Sequence, residues 1–286
     1  MSAAATQDMT LAPSRHRGGG RSTLVLGLAL TASVVLLALI SSVWLPYDQS
    51  DTSGARLEVP SAQHWLGTDK LGRDLMTQFM IGARIALAVG AGSVAIAAVL
   101  GIILGLTAAF ARPWLDDTMS AALDVIIAFP VLLLAMLVVA LQGASLFSAI
   151  LAIGLAQSAV VARLVRILTR RVLGEQYITA ARTSGTGWFG IVGSHVMPNI
   201  APMIGVNLAL QFGVAVLAEA SLSYLGLGAP PPNASWGRML QEAQGTVLTA
   251  PIGAIAPGVA LVVLVVGVNF LADGLRDIVD PTRSNR

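Results

Sequence analysis

The amino-acid sequence predicts an all-α, polytopic membrane protein with six transmembrane helices. Three observations carry that expectation. Hydrophobic residues make up 55% of the 286 and charged residues only 11%, where a soluble domain carries about 25% charged. Apolar runs of roughly 20 residues, the length that crosses a bilayer, recur along the chain. Alternation at intervals of two is absent from those runs, and in lipid each must bond its own backbone, as a helix does.

Residues 1–23 read as a polar tail, with Gly18-Gly19-Gly20 marking a disordered start. The first run is Leu24–Leu45. Its basic front resembles a signal peptide, but its length and the Trp44-Leu45-Pro46-Tyr47 belt fit a retained span better than a cleavage site. A loop follows over 46–84. Residues 85–272 hold the other five runs, Ile85–Phe110, Met119–Leu141, Ala144–Ala162, Ile200–Ser221 and Val247–Ala272, and 273–286 form a second tail.

Polar positions inside the runs are few. Asp124 stands within reach of Arg163 or Arg166, and Glu219 reads as a structural acceptor or as a group reaching water or an arginine. Gln157, Asn207, Gln211 and Asn269 either tie helices together or face a pathway. Gly101-x3-Gly105 allows a neighbouring helix to approach closely.

Orientation follows from the arginines. Arg15, Arg17, Arg21, Arg112, Arg163, Arg166, Arg170, Arg171, Arg182, Arg276, Arg283 and Arg286 fall on one side. The other side has only Arg56, Lys70, Arg73, Arg84 and Arg238, diluted by acidic residues. Both termini are expected in the cytoplasm, with 46–84 and Gly228–Gly245 outside.

Several chemistries are excluded. No G-x-x-x-x-G-K-[ST] loop is present to cradle ATP phosphates, and no H-E-x-x-H to bind zinc. The three histidines lie far apart, and with no cysteine there is no thiolate site. Gly143-Ala144-Ser145 looks superficially like an intramembrane protease nucleophile, but no run holds a histidine to act as base. A net charge of +2 with Lys70 as the sole lysine gives no nucleic-acid partner. The runs also lack the several ionisable groups of a proton-driven carrier.

The polar link at about 171–199 is built differently from an ordinary loop. Good helix formers run from Tyr177 to Arg182, Thr183-Ser184-Gly185-Thr186-Gly187 interrupts them, and apolar spacing resumes at Trp188 before stopping at Pro198. Such a helix–break–helix either lies in the membrane interface or docks into a soluble partner.

Motif spacing selects the second reading. Ala180-Ala181, Gly185 and Met197-Pro198 resemble the "EAA" loop of binding-protein-dependent ABC importer permeases. Leu66-Gly67-Thr68-Asp69-Lys70-Leu71-Gly72-Arg73-Asp74, then Gly82-Ala83-Arg84, resembles the L-G-T-D-x-x-G-R-D and G-A-R signature of their peptide-type members. Ala218-Glu219-Ala220-Ser221-Leu222-Ser223-Tyr224-Leu225-Gly226-Leu227-Gly228, with Pro231-Pro232 and Ser235-Trp236-Gly237, is similar to another signature. So are Phe129-Pro130 and the stretch from Asp273-Gly274-Leu275-Arg276-Asp277 to Asp280-Pro281. The resemblance covers about Leu66 to Pro281 and is to the C-type subunit of dipeptide/oligopeptide importers.

That resemblance implies a type I importer permease fold in the cell membrane and a subunit that is not itself an enzyme. It implies a second, B-type permease subunit, two cytoplasmic ATPase subunits that bind ATP and Mg, an extracytoplasmic solute-binding protein and a peptide substrate. Thr179, Ala180, Ala181, Gly185, Trp188 and Pro198 would form the ATPase-coupling loop. Gly67, Asp69, Gly72, Arg73, Asp74, Glu219, Gly226 and Trp236 would be structural signature positions. Thr179 departs from the motif's Glu and Met197 from its Leu. The ion pair open to that Glu is closed to Thr179, which can cap or hydrogen-bond instead. Permeases for nickel or other small solutes share these signatures, whereas a secondary transporter would need no ATPase.

Overall fold

A computed structural model describes residues 19–230 and 233–279. Most of the expected N-terminal tail and half of the C-terminal one, with Arg15, Arg17, Arg283 and Arg286, lie outside the described residues, as do Pro231-Pro232 and Asp280-Pro281. Ten α-helices follow in order: α1 (Gly19–Val43), α2 (Leu75–Phe110), α3 (Pro113–Ala128), α4 (Val131–Gln142), α5 (Leu146–Leu173), α6 (Gln176–Thr183), α7 (Trp188–Ile191), α8 (Met197–Tyr224), α9 (Trp236–Ala243) and α10 (Ile252–Val279). Among the described residues there is no strand, only an isolated bridge between Thr68 and Asp74. Five helices are long and apolar enough to span, and the pair α3–α4 makes a sixth, bent span.

The helix limits correct the sequence reading at several points. α2 starts at Leu75, so the expected loop 46–84 ends at Asp74 and Gly82-Ala83-Arg84 is helical. The reason is a cap: the Asp74 carboxylate accepts the Thr77 N–H at 2.7 Å, satisfying a free donor at the helix start. The third run is two helices bent by 89° at Phe129–Pro130. Pro130 has no N–H to continue the ladder and holds Phe129 extended, at φ −83° and ψ 135°. α5 runs on to Leu173, past the expected end at Ala162, carrying its arginines on helix. α10 begins at Ile252 rather than Val247 and continues through residues 273–279 of the expected tail.

Pro198 is likewise no stop. Residues Val192–Val196 form one π turn that joins α7 directly to α8. A proline ring collides with the carbonyl four residues earlier, and widening the preceding turn makes room for it.

Packing centres on α2 and α5, which run parallel. A Cβ on Gly101 would lie 2.5 Å from the Val161 Cβ, and one on Gly105 would lie 2.5 Å from the Ala162 carbonyl oxygen. These glycines therefore set the helix separation, as the spacing predicts. α8 crosses this pair, with the Phe212 ring on Gly90 and the Gln157 side chain donating to the Gln211 carbonyl at 2.9 Å. α1 packs antiparallel on α10, Gly27 facing the Gly267 carbonyl and Gly274 facing Leu24.

Candidate functional site

The sequence-derived site residues fall at two opposite ends of α8. Thr179, Ala180, Ala181, Gly185, Trp188 and Pro198 gather at one end around α6 and α7. Gly67, Asp69, Gly72, Arg73, Asp74, Glu219, Gly226 and Trp236 gather at the other, in a cap made of residues 44–74 and α9.

α6 is anchored by one residue. Ile178 is fully buried in an apolar cluster with Val165, Ile191, Val196 and Ile200. Its neighbours Thr179, Ala180, Arg182 and Thr183 are exposed. The helix then closes in a Schellman arrangement: the Thr186 N–H bonds the Ala181 carbonyl and the Gly185 N–H bonds the Arg182 carbonyl, both at 3.0 Å. The closing residue must adopt positive φ, and Gly185 has φ 85°. A Cβ there would meet nothing within 4 Å, so Gly185 serves conformation and not close approach.

The Thr183 and Ser184 hydroxyls both donate to the Ala180 carbonyl at 2.9 Å. Thr179 does not cap, contrary to the expectation. It lies inside α6, whose N-cap position is Glu175, and its side chain faces outward.

Beyond the break, Trp188 packs edge-on against Phe110, with ring centroids 5.5 Å apart. Phe189 is 84% exposed beside it, at a centroid distance of 4.6 Å. The outcome is a small convex face: an aromatic pair, a glycine turn and the Thr179–Ala180 surface, held from beneath by α5 and α8.

The cap is organised by Asp69. One carboxylate oxygen accepts the Leu71 and Arg73 N–H groups at 2.7 and 2.9 Å, and the other accepts from the Arg73 Nε and Gln78 Nε2 at 2.7 and 3.0 Å. Arg73 reaches on to Glu242 at 2.6 Å, which also takes Arg238 at 2.9 Å. The loop is thereby pinned to α9. Gly67 and Gly72 have φ near 80°, and a Cβ on either would lie 2.2 or 2.3 Å from the Glu58 or Gly54 carbonyl oxygen.

Asp74 divides its carboxylate between Thr77 and the His64 Nδ1, 3.0 Å away. Trp236, only 1% exposed, donates to the Phe79 carbonyl at 3.0 Å. Glu219 is 2% exposed and accepts the Ser223 hydroxyl at 2.6 Å, which makes it a structural acceptor. Gly226 ends α8 as Gly185 ends α6, with φ 80° and the Leu227 N–H on the Leu222 carbonyl.

Sequence reasoning missed Asp116. It is 1% exposed and accepts both Arg166 Nε at 2.6 Å and Arg170 Nη2 at 2.6 Å, clasping α3 to α5. The expected pair of Asp124 with Arg163 is present at 3.2 Å, but both partners are more than half exposed, so it contributes little. Among the described residues no three His, Cys, Asp or Glu side chains stand together as metal ligands.

Comparison with known proteins agrees with this architecture. The family model described as "Binding-protein-dependent transport system inner membrane component" matches residues 97–285. The chain belongs to that family. The permease is 38% identical over 259 residues to the dipeptide transport system permease protein DppC of Alkalihalophilus pseudofirmus, covering 90% of this chain and 85% of that one. It is 39% identical to the glutathione transport system permease protein GsiD of Pectobacterium atrosepticum, covering 89% and 87%. Among solved structures, the MetNI methionine ABC transporter in inward-facing form aligns with a TM-score of 0.60 at 22% identity, over 71% of this chain and 97% of that one. That likeness concerns the fold alone.

Proposed function

We propose that this permease forms, with a second and related permease subunit, the path by which dipeptides or oligopeptides enter the cell, driven by ATP. Of two cytoplasmic ATPase subunits, which bind the ATP and Mg, one docks on the α6–α7 face. An extracytoplasmic solute-binding protein delivers substrate at the cap. The arginines of α5 and α6 support a cytoplasmic position for that end and for both termini, with the cap outside the cell membrane.

The carrying observation is the Ala180-Ala181-x3-Gly185 turn. Its backbone is closed by hydrogen bonds to the Ala180, Ala181 and Arg182 carbonyls, yet its outward surface is left open. A peptide substrate is supported by relatives named for dipeptides and for glutathione, itself a tripeptide.

The test is Gly185→Leu in the reconstituted transporter. The spans are untouched, so the variant should insert and assemble with the partner permease. Peptide uptake should fall more than tenfold, with the ATPase subunits dissociating or hydrolysing ATP without transport. About 1.4 kcal/mol lost at the docking face already weakens association tenfold. Uptake at the wild-type rate would make α6–α7 an ordinary interfacial linker.

A further inference from the structure

The bend between α3 and α4 leaves backbone polar groups without partners. Among the described residues, Phe129 N–H bonds the Ile126 carbonyl and the Leu133 and Leu134 N–H groups share the Pro130 carbonyl. The Val131 and Leu132 N–H groups find no acceptor, and the Ile127, Ala128 and Phe129 carbonyls no donor.

This elbow sits at the middle of the span. On one side of it, Leu123 and Ile127 pack on Ala159 and Ala162. On the other, Ala135 and Val139 pack on Ala149, Ala152 and Ile153. The bend therefore crosses α5 near Ala156, roughly ten residues and about 15 Å from the start of α5, or half the thickness of a bilayer core. It is also uncovered: Ala128, Phe129 and Pro130 are exposed, Phe129 by 52%.

Hydrocarbon can neither donate nor accept a hydrogen bond, so broken backbone at this depth is tolerated only where protein buries it or water reaches it. A protein neighbour covering the elbow would have to bring polar groups matched in position to each of those N–H and C=O groups. Water needs no such match.

We propose that the Phe129–Pro130 elbow faces the water-filled translocation path and not the lipid. This rests on the chain being a transport permease and adds which surface of it lines the route. The deep bend then turns a span that sequence shows as continuous into one wall of that route.

The chain has no cysteine, which makes single-cysteine labelling clean once the partner subunits are also freed of cysteine. Phe129→Cys and the gentler Ala128→Cys would be compared with Leu36→Cys on the outer face of α1, in the assembled transporter in proteoliposomes, using a charged, water-soluble methanethiosulfonate. Only thiolate reacts, and thiolate forms where water reaches. Both elbow positions should react at least tenfold faster than Leu36→Cys, and saturating dipeptide should slow them. Elbow rates no faster than Leu36→Cys would overturn the proposal. So would labelling seen only when the second permease subunit is left out, since the elbow would then be buried in protein. ATP-driven dipeptide uptake by the cysteine-free parent is read separately and judges the transport reading alone.

Discussion

The cap and the α6–α7 face both turn on glycines with φ near 80°, but the glycines do different work. In the cap, Gly67 and Gly72 combine positive φ with carbonyl oxygens where a side chain would be. At α6–α7, Gly185 has the same conformation and open space around it. The cap is finished: Asp69, Arg73, Glu242 and Arg238 satisfy one another, and Trp236 is sealed beneath them. The α6–α7 face is closed in its backbone only, with Thr179, Ala180 and Phe189 turned outward. The lesson is that one residue type at one dihedral can serve internal packing or a partner, and its surroundings tell which.

Substitutions can break or sharpen that contrast. Gly67→Ala should have the largest effect, because the left-handed strain of about 1–2 kcal/mol adds to an overpacking cost of about 1–3 kcal/mol. Yield of monodisperse protein should fall and the thermal midpoint should drop clearly. A midpoint like that of wild type would mean the cap is looser than its contacts indicate.

Gly185→Ala comes second. It carries the left-handed strain of about 1–2 kcal/mol with no collision, so tryptophan-monitored unfolding should shift much less than in Gly67→Ala. Equal shifts in the two variants would erase the distinction between the regions.

Thr179→Glu is the smallest change. On an exposed helix surface it should alter stability by no more than about 0.5 kcal/mol. It reinstates the acidic residue of the motif, and its effect should appear in ATPase binding, measured by co-purification at low and high salt. A change in thermal midpoint without a change in binding would place Thr179 in the fold instead of at the docking face.

Much of this was legible in the chain. Apolar runs revealed the spans because lipid permits little else, and Gly185 was legible because glycine so often closes helices. The start of α2 was not, since Thr77, Gln78 and Arg84 make its first turns look like loop, and the Asp74 cap that fixes it weighs little in hydropathy. Pro130 was read inside one continuous run, and its 89° turn was hidden because it depends on α5 supporting both arms. Asp116 was hidden for another reason: its partners Arg166 and Arg170 lie some fifty residues away, and only the antiparallel meeting of α3 and α5 brings them together. α9 was missed because eight residues between the Pro230-Pro231-Pro232 run and Pro251 carry too few apolar positions to stand out. Capping by Thr179 is closed because its place in α6, four residues into the helix, is past every free N–H.

The π turn at Val192–Val196 has a mechanical consequence. Without it, Pro198 would be a joint, and α7 could swing independently of α8. With it, Trp188 to Tyr224 is one helical strut of 37 residues, about 55 Å from end to end at 1.5 Å per residue. A push on Trp188 is therefore carried along continuous helix, with the π turn and Pro202 as the points where it can bend. To the extent that the helix tilts as one body, a rotation of about 5° on a lever of that length displaces the far end, where Glu219 and Ser223 lie, by roughly 5 Å.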